Sequence, residues 1–364
     1  MEKKISISLI FSFLIILNIC AQSHEKPLSW NQALKQDSGW YATSEAIKIA
    51  DNLLIYQHKS GGWPKNINMA KELSETEKEE ILMTKNQPGS ALSRATIDND
   101  ATCSQLYYLA QVYKESGIER FKQSFIQGVY YLLEAQYDNG GWPQYYPIRE
   151  GYYEHITFND DAITNTMRFL QKIILSDDLF ASLNLSDEIL HNAEIAFEKG
   201  IDCILQTQIV IDGNLTVWCA QHDKNTLAPA NARSYELKSL SGSESVGLTL
   251  LLMSIDHPTK DIIACVEGAV KWFQSSKIEG IKVIEEINEE GKKNKIVVED
   301  KNSFPLWGRF YDIETGKPFF CSRDGVKRNS LSEISYERRN GYRWYTNKPS
   351  KALEAYLQWK KKHL

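Results

Sequence analysis

The segments QHKSGGWP (Gln57–Pro64) and QYDNGGWP (Gln136–Pro143) are two copies of one pattern, Q-x-x-x-G-G-W-P. Each follows a stretch of helical periodicity and can end a helix sharply, because paired glycines permit the exit and proline forbids continuation. A degenerate third copy is expected within QTQIVIDGNLTVW (206–218). A second repeated element comes after the first: TIDNDAT at 96–102 and TFNDDAI at 157–163, each opening a further helical stretch. A unit of helix, GGWP turn, acidic cluster and helix, repeated about an axis, predicts an all-α toroid whose loops gather at one end around a cleft.

Working outward, apolar residues recur at i, i+3, i+4 and i+7 over 43–57, 100–116, 119–136 and 161–175, with further helical windows at 185–206, 243–255, 260–274 and 350–361. Strand signals are sparse. A charged hairpin is expected at 282–302, turning near Glu290-Gly291, and a shorter one in IVIDGNLTVWC. No Gly/Ser- or Pro-rich linker divides the chain, so 22–364 is expected to form one domain.

The N-terminus, MEKKISISLIFSFLIILNICAQS, has a basic start, a short apolar run and a small residue at a cut point, the pattern of a signal peptide over 1–21. Cleavage after Ala21 is preferred to lipidation of Cys20, since Ile19 stands where a lipobox wants a small residue. The run is too short to span a bilayer comfortably. An exported protein, periplasmic or secreted, with no membrane span is therefore expected. The formal charge of −5 gives no basic field suited to nucleic acid. Beyond the leader, Cys103, Cys203, Cys219, Cys265 and Cys321 are odd in number and lack CxxC spacing, which points to buried thiols rather than disulfides or zinc.

The clusters Asp98-Asn99-Asp100 and Asn159-Asp160-Asp161 offer three consecutive oxygen acceptors in each copy. One Asp or Asn suffices to cap a helix, so the surplus points to a hard cation, Ca²⁺ rather than zinc or copper. Between Arg309 and Lys348 the sign reverses, with nine Lys or Arg against five Asp or Glu. Arg309 and Arg323 lie there among Trp307, Tyr311, Phe319 and Phe320, a mixture suited to a planar anion. A substrate that needs both a hard cation and arginines is a polyuronate. Separately, NARSYELKSLSGSES (231–245) sets Arg233 in an aperiodic, hydroxyl-rich loop, where a salt bridge, an anion grip or a chemical role are all open.

GGWPK, TIDNDAT, YDNGGWPQYYP, ITFNDDAITNTM, NARSYELKSLSGSES, WGRFYD and RRNGYRWY together resemble the pectate lyases of polysaccharide lyase family 10, over roughly residues 30–362. The resemblance implies an (α/α)₃ toroid with short β-hairpin excursions and Ca²⁺-dependent anti β-elimination of polygalacturonate or pectin, with an arginine as Brønsted base. Carried over by motif, Arg233 takes the base role. Asp160, Asp161 and Asp98 fall among the metal ligands, and Arg309, Arg323, Lys65, Asp98, Asn99, Lys238 and Tyr345 among the substrate-binding residues. A monomer is expected.

The chemistry places a demand on Arg233. Elimination removes the C5 proton beside an ionised carboxylate, yet a guanidine is ordinarily protonated. A neutral fraction requires neighbouring positive charge, such as Ca²⁺, Arg309 or Lys238, and exclusion of water. An alkaline optimum follows. The rival readings are a toroid glycoside hydrolase using Asp100 and Asp161, a non-catalytic uronide-binding protein, and a prenyl-cyclase relative, which export and the arginine set disfavour.

Overall fold

The computed structural model describes residues 28–363, so the signal-peptide reading of 1–21 lies outside the described residues. The helical windows are realised as Ser44–Tyr56, Cys103–Ser116, Glu119–Glu134, Ala162–Ile174, Asp187–Thr207, Glu244–Met253, Lys260–Ser275 and Lys348–His363. They form two packed layers. Ser44–Tyr56, Glu119–Glu134, Asp187–Thr207 and Lys260–Ser275 contact one another in succession on the outside. Cys103–Ser116, Ala162–Ile174, Glu244–Met253 and Lys348–His363 do the same on the inside. The fold is an α/α toroid. All strands among the described residues occur in two-stranded pairs, the longest being Ile281–Ile287 with Lys293–Glu299, the expected charged hairpin.

The GGWP repeat explains the ring. In each copy the glutamine ties its own turn to the next outer helix: Gln57 Nε2 donates to Gly61 O (2.7 Å) and Ser124 O (2.9 Å), Gln136 Nε2 to Gly140 O (3.0 Å) and Ala196 O (2.8 Å). The third copy is present, with Gln208 rather than Gln206 in this position, donating to Thr216 O and Cys265 O, both at 2.8 Å. The tryptophan then staples the turn to the preceding helix, Trp63 Nε1 to Leu53 O, Trp142 to Leu132 O and Trp218 to Ile204 O, and Trp307 repeats this on Phe273 O. Gly140 has no substitute here. Its φ is +86°, and a Cβ would lie 1.9 Å from Lys199 O on the neighbouring helix.

Two sequence expectations need correction. The inner helices begin at Cys103 and Ala162, later than 100 and 161, because Asn99, Asp100, Thr102, Asp160 and Asp161 all have positive φ. The helix Glu75–Thr84 is missed by periodicity, since only Ile81 on it is buried; its signal is the Ser74–Glu77 capping box. The five cysteines are free and buried, as expected. No helix among the described residues is long and apolar enough to cross a membrane. Beside the main core, Ala220, Tyr235, Phe310, Phe319, Phe320, Cys321, Leu331, Ile334 and Trp344 form a second apolar cluster, which underlies the Arg233 loop.

Candidate active site

The same tryptophan turns that build the ring position the site. The main-chain carbonyl of Trp63 accepts from Thr96 N (3.0 Å), that of Trp142 from Thr157 N (3.1 Å) and that of Trp218 from Ser241 N (2.8 Å). Each bond fixes the residue that leads into an inner helix. The polar segments thereby brought to one end are 96–102, 157–163 and, as a third and shorter counterpart, Ser241–Ser245 with Glu244 in it.

Neither acidic cluster caps its helix by a side chain. Instead both run through consecutive left-handed residues, Asn99 (φ 52°, ψ 41°) with Asp100, and Asp160 (φ 50°, ψ 35°) with Asp161. Asp and Asn tolerate this region better than other residues, but two in succession are costly, and such strain concentrates at functional sites. The twist splits each cluster. Asp98, Asn99, Asn159 and Asp160 line a small polar cleft with Lys65, Gln144, Tyr152, Gln221, Arg233 and Glu236. Asp100 and Asp161 do not line it.

On one wall Asp98 is buried and forms an ion pair with Lys65, while Gln144 Nε2 donates to the same oxygen, Asp98 Oδ2, at 2.6 Å. Burial penalises the Lys65 ammonium, but Asp98 outweighs it and holds the proton more tightly than in a free lysine. Asp98 Oδ1 is buried without a partner among the described residues, which leaves an acceptor open. Asn99 Nδ2 donates to Asn66 Oδ1 at 2.9 Å.

Below the cleft, Arg309 is only 8% exposed. Its Nη2 donates to Asn159 Oδ1 and Asp160 Oδ1, both at 3.1 Å, and to Glu244, itself fully buried. Burial opposes its charge, yet Glu244 and Asp160 keep it protonated. Arg309 therefore orients Asp160 from behind rather than presenting a free fork to the opening. The guanidinium also lies 4.7 Å from the Tyr342 ring.

On the opposite wall Arg233 is partly exposed, its side chain 42% accessible, and forms a fork on buried Glu236, Nε to Oε2 at 2.6 Å and Nη2 to Oε1. Tyr342 Oη donates to Glu236 Oε1 at 2.7 Å. Arg233 Nη1 has no hydrogen-bond partner among the described residues. The group in direct contact with Arg233 is thus an anion, Glu236, rather than Arg309 or Lys238, and its cationic neighbour is Arg323 across the Tyr235 ring. Burial lowers the proton affinity of Arg233, but the bond and charge of Glu236 raise it further, so the guanidinium is held well above its ordinary range.

Of the other expected residues, Arg323 is exposed and outside the cleft lining, paired with Glu337 at 2.9 Å and 5.5 Å from the same Tyr235 ring that Arg233 overlies at 5.0 Å. Asp161 turns away: Lys348 Nζ donates to its Oδ2 at 3.0 Å, and its Oδ1 occupies space that a Cβ on Gly247 would fill. Lys238 is exposed outside the cleft lining. Tyr345 packs on Phe320, ring centroids 5.2 Å apart, and lines a separate groove with Asn294 and Arg339. Asp100 has no cationic partner among the described residues, and burial pushes its carboxyl up to about 6 although the residue keeps exposed surface.

Glu236, Glu244, Gln144, Gln221, Tyr152 and Tyr342 are the site residues that the sequence reading misses. Glu244 had a signal, its place in a third copy of the acidic element, and so did Glu236, three residues after Arg233. The others had none.

The sequence profile of the pectic acid lyase family matches residues 57–353. Two solved structures are similar over nearly the whole chain. One, the family 10 polysaccharide lyase from Cellvibrio cellulosa, has a TM-score of 0.76 at 32% identity, covering 91% of this chain and 95% of the other. The second, a mutant of a family 10 polysaccharide lyase from the same organism in complex with trigalacturonic acid, has a TM-score of 0.75 at 32% identity, covering 90% and 95%. No curated protein matches the chain.

Proposed function

This chain belongs to the pectic acid lyases, polysaccharide lyase family 10, and on that premise we propose that it cleaves α-1,4-polygalacturonate by Ca²⁺-assisted anti β-elimination with Arg233 as the base. The observation that carries the reading is the cleft itself, in which a partly exposed arginine faces two repeated acidic clusters held in strained backbone.

The donor set is compatible with a hard cation. Asp98 has a buried oxygen without a partner, Asp160 is partly exposed, and no His or Cys stands among the lining residues. No group of three His, Cys, Asp or Glu among the described residues is arranged to hold a metal by itself. We therefore assign Asp98 and Asp160 to hold Ca²⁺ jointly with carboxylates of the substrate. When bound, the cation supplies charge that stabilises the enolate-like carboxylate beside C5.

The rest is done by the chain. Lys65 and Arg323 provide positive charge for uronate carboxylates on the two sides of the cleft. Arg309 and Glu244 keep Asp160 aimed. Glu236 fixes the plane of the Arg233 guanidine and leaves Nη1 to take the C5 proton. The electron pair left at C5 forms the C4–C5 double bond as the C4–O4 bond breaks, and solvent protonates the departing O4. Because Glu236 holds the Arg233 proton, the reactive neutral form is scarce and strongly basic, and it grows with pH.

An ultraviolet assay on polygalacturonate with and without added Ca²⁺ tests this directly. Elimination yields a 4,5-unsaturated uronide that absorbs. Hydrolysis through Asp100 and Asp161 would cleave the polymer with no rise in absorbance, and either that result or calcium-independent turnover would reject the proposed mechanism.

A further inference from the structure

The cleft does not end at Lys65 and Asn99. Both residues also line a second groove of about 450 Å³ that runs toward the N-terminal segment and is bounded there by Trp30 and Asn31. Its chemistry differs from that of the cleft. Among the described residues no Asp, Glu or Arg lines it, and the one cation there is Lys65, which pairs with Asp98 and is taken up by the uronate proposed to sit in the cleft. What remains is amide and hydroxyl: Asn31, Asn66 and Asn68 are exposed, and the side chains of Asn31 and Asn68 make no hydrogen bond among the described residues. Ile67 and Trp30, both partly exposed, add small apolar surfaces. Trp30 is held in place, its Nε1 donating to Ser104 Oγ at 3.3 Å and its ring 5.3 Å from Tyr108.

A galacturonate carboxylate entering this groove would lose water without meeting a free cation. A sugar without that charge would lose little, since unpaired amides satisfy ring hydroxyls and the apolar patches accept a methyl group. In a polymer of galacturonate, the uncharged unit is the methyl ester. We infer that this groove is a distal subsite for a methyl-esterified galacturonosyl unit, so that the enzyme prefers chains in which a charged unit at the cleft adjoins an esterified one. The inference rests on the lyase reading of the adjoining cleft.

The test compares kcat/KM on lightly methyl-esterified pectin with that on fully de-esterified polygalacturonate, for wild type, Asn68→Lys and Asn68→Ala. Asn68 is exposed and belongs to none of the catalytic groups. The expected result is a wild-type preference for the esterified polymer. Asn68→Lys should reduce or reverse it by about tenfold by offering a cation to the free acid, and Asn68→Ala should reduce it by less. Equal ratios in all three proteins would overturn the assignment. So would a shift in Asn68→Lys with none in Asn68→Ala, which would mean charge acting at a distance. Wild type giving no unsaturated product on either polymer would instead remove the lyase reading, and this subsite with it.

Discussion

Glu236 holds Arg233 through two parallel hydrogen bonds, from Nε at 2.6 Å and from Nη2 to its other oxygen, with Tyr342 donating to the carboxylate from the far side at 2.7 Å. The pair sets a direction for the guanidine and strengthens its hold on the proton. These two effects act oppositely on the rate, and the variant Glu236→Gln separates them. Removing the negative charge lowers the proton affinity of Arg233, so the rise of kcat/KM with pH should begin at a lower pH than in wild type. Loss of the fork should lower the plateau. A pH profile identical in shape to that of wild type would show that Glu236 does not act through Arg233.

Arg233 itself is tested by Arg233→Ala and Arg233→Lys. A positioned base contributes roughly 10²–10⁴-fold, so the alanine variant should lose at least about a hundredfold in kcat while still binding oligogalacturonate. Lysine keeps a cation but not the fork on Glu236, and should not restore the rate at neutral pH. Unchanged formation of unsaturated product by the alanine variant would place the base elsewhere.

Calcium dependence should localise to the two clusters unequally. Asp160→Asn should raise the Ca²⁺ concentration giving half-maximal activity by about tenfold or more, because one of two proposed carboxylate ligands is lost. Asp161→Asn should leave that concentration within about twofold of wild type and act on stability instead, since its partner is Lys348. The reverse pattern, read by calcium titration of activity, would exchange the roles.

The ring predicts its own weak point. Gly140→Ala forces a side chain into a left-handed turn and against Lys199 O. Even with local adjustment, this should destabilise the protein by about 2 kcal/mol or more in denaturant unfolding. Gly213→Ala, where φ is +77° but nothing lies within 4 Å of the added Cβ, isolates the backbone cost and should lose only about 1 kcal/mol. Equal losses would mean that contact with the next helix is unimportant.

Acid should weaken the fold through His222. Burial lowers its pKa to about 4, and it is held neutral between Leu227 O and the Cys219 amide. The unfolded chain takes up this proton near the ordinary imidazole value of 6.5, whereas the folded chain resists until about 4. Stability is therefore full above 6.5 and falls as the pH drops through this interval, by up to about 3 kcal/mol. His222→Gln should flatten the pH dependence of the unfolding free energy over that interval; an unchanged slope would contradict the assignment.

Much of this was legible in the chain. Apolar periodicity located the long helices. The Q-x-x-x-G-G-W-P repeat fixed that they form a ring, because glutamine, glycine and tryptophan each have a local task that leaves little choice of conformation. The acidic clusters and Arg233 stood out because capping and ordinary loop chemistry do not require them. Which acids face the cleft was not legible. Asp98 and Asp160 turn inward while Asp100 and Asp161 turn away only because two residues in each cluster adopt left-handed backbone, set by tertiary packing. Nor could the chain alone reveal that Arg309 meets Asn159, Asp160 and Glu244 beneath the floor, or that Glu236 rather than a cation governs Arg233. Helices and turns are short-range consequences of side-chain shape, readable a few residues at a time. Ion pairs across as many as 187 residues depend on how the helices pack together, and only the tertiary structure decides them.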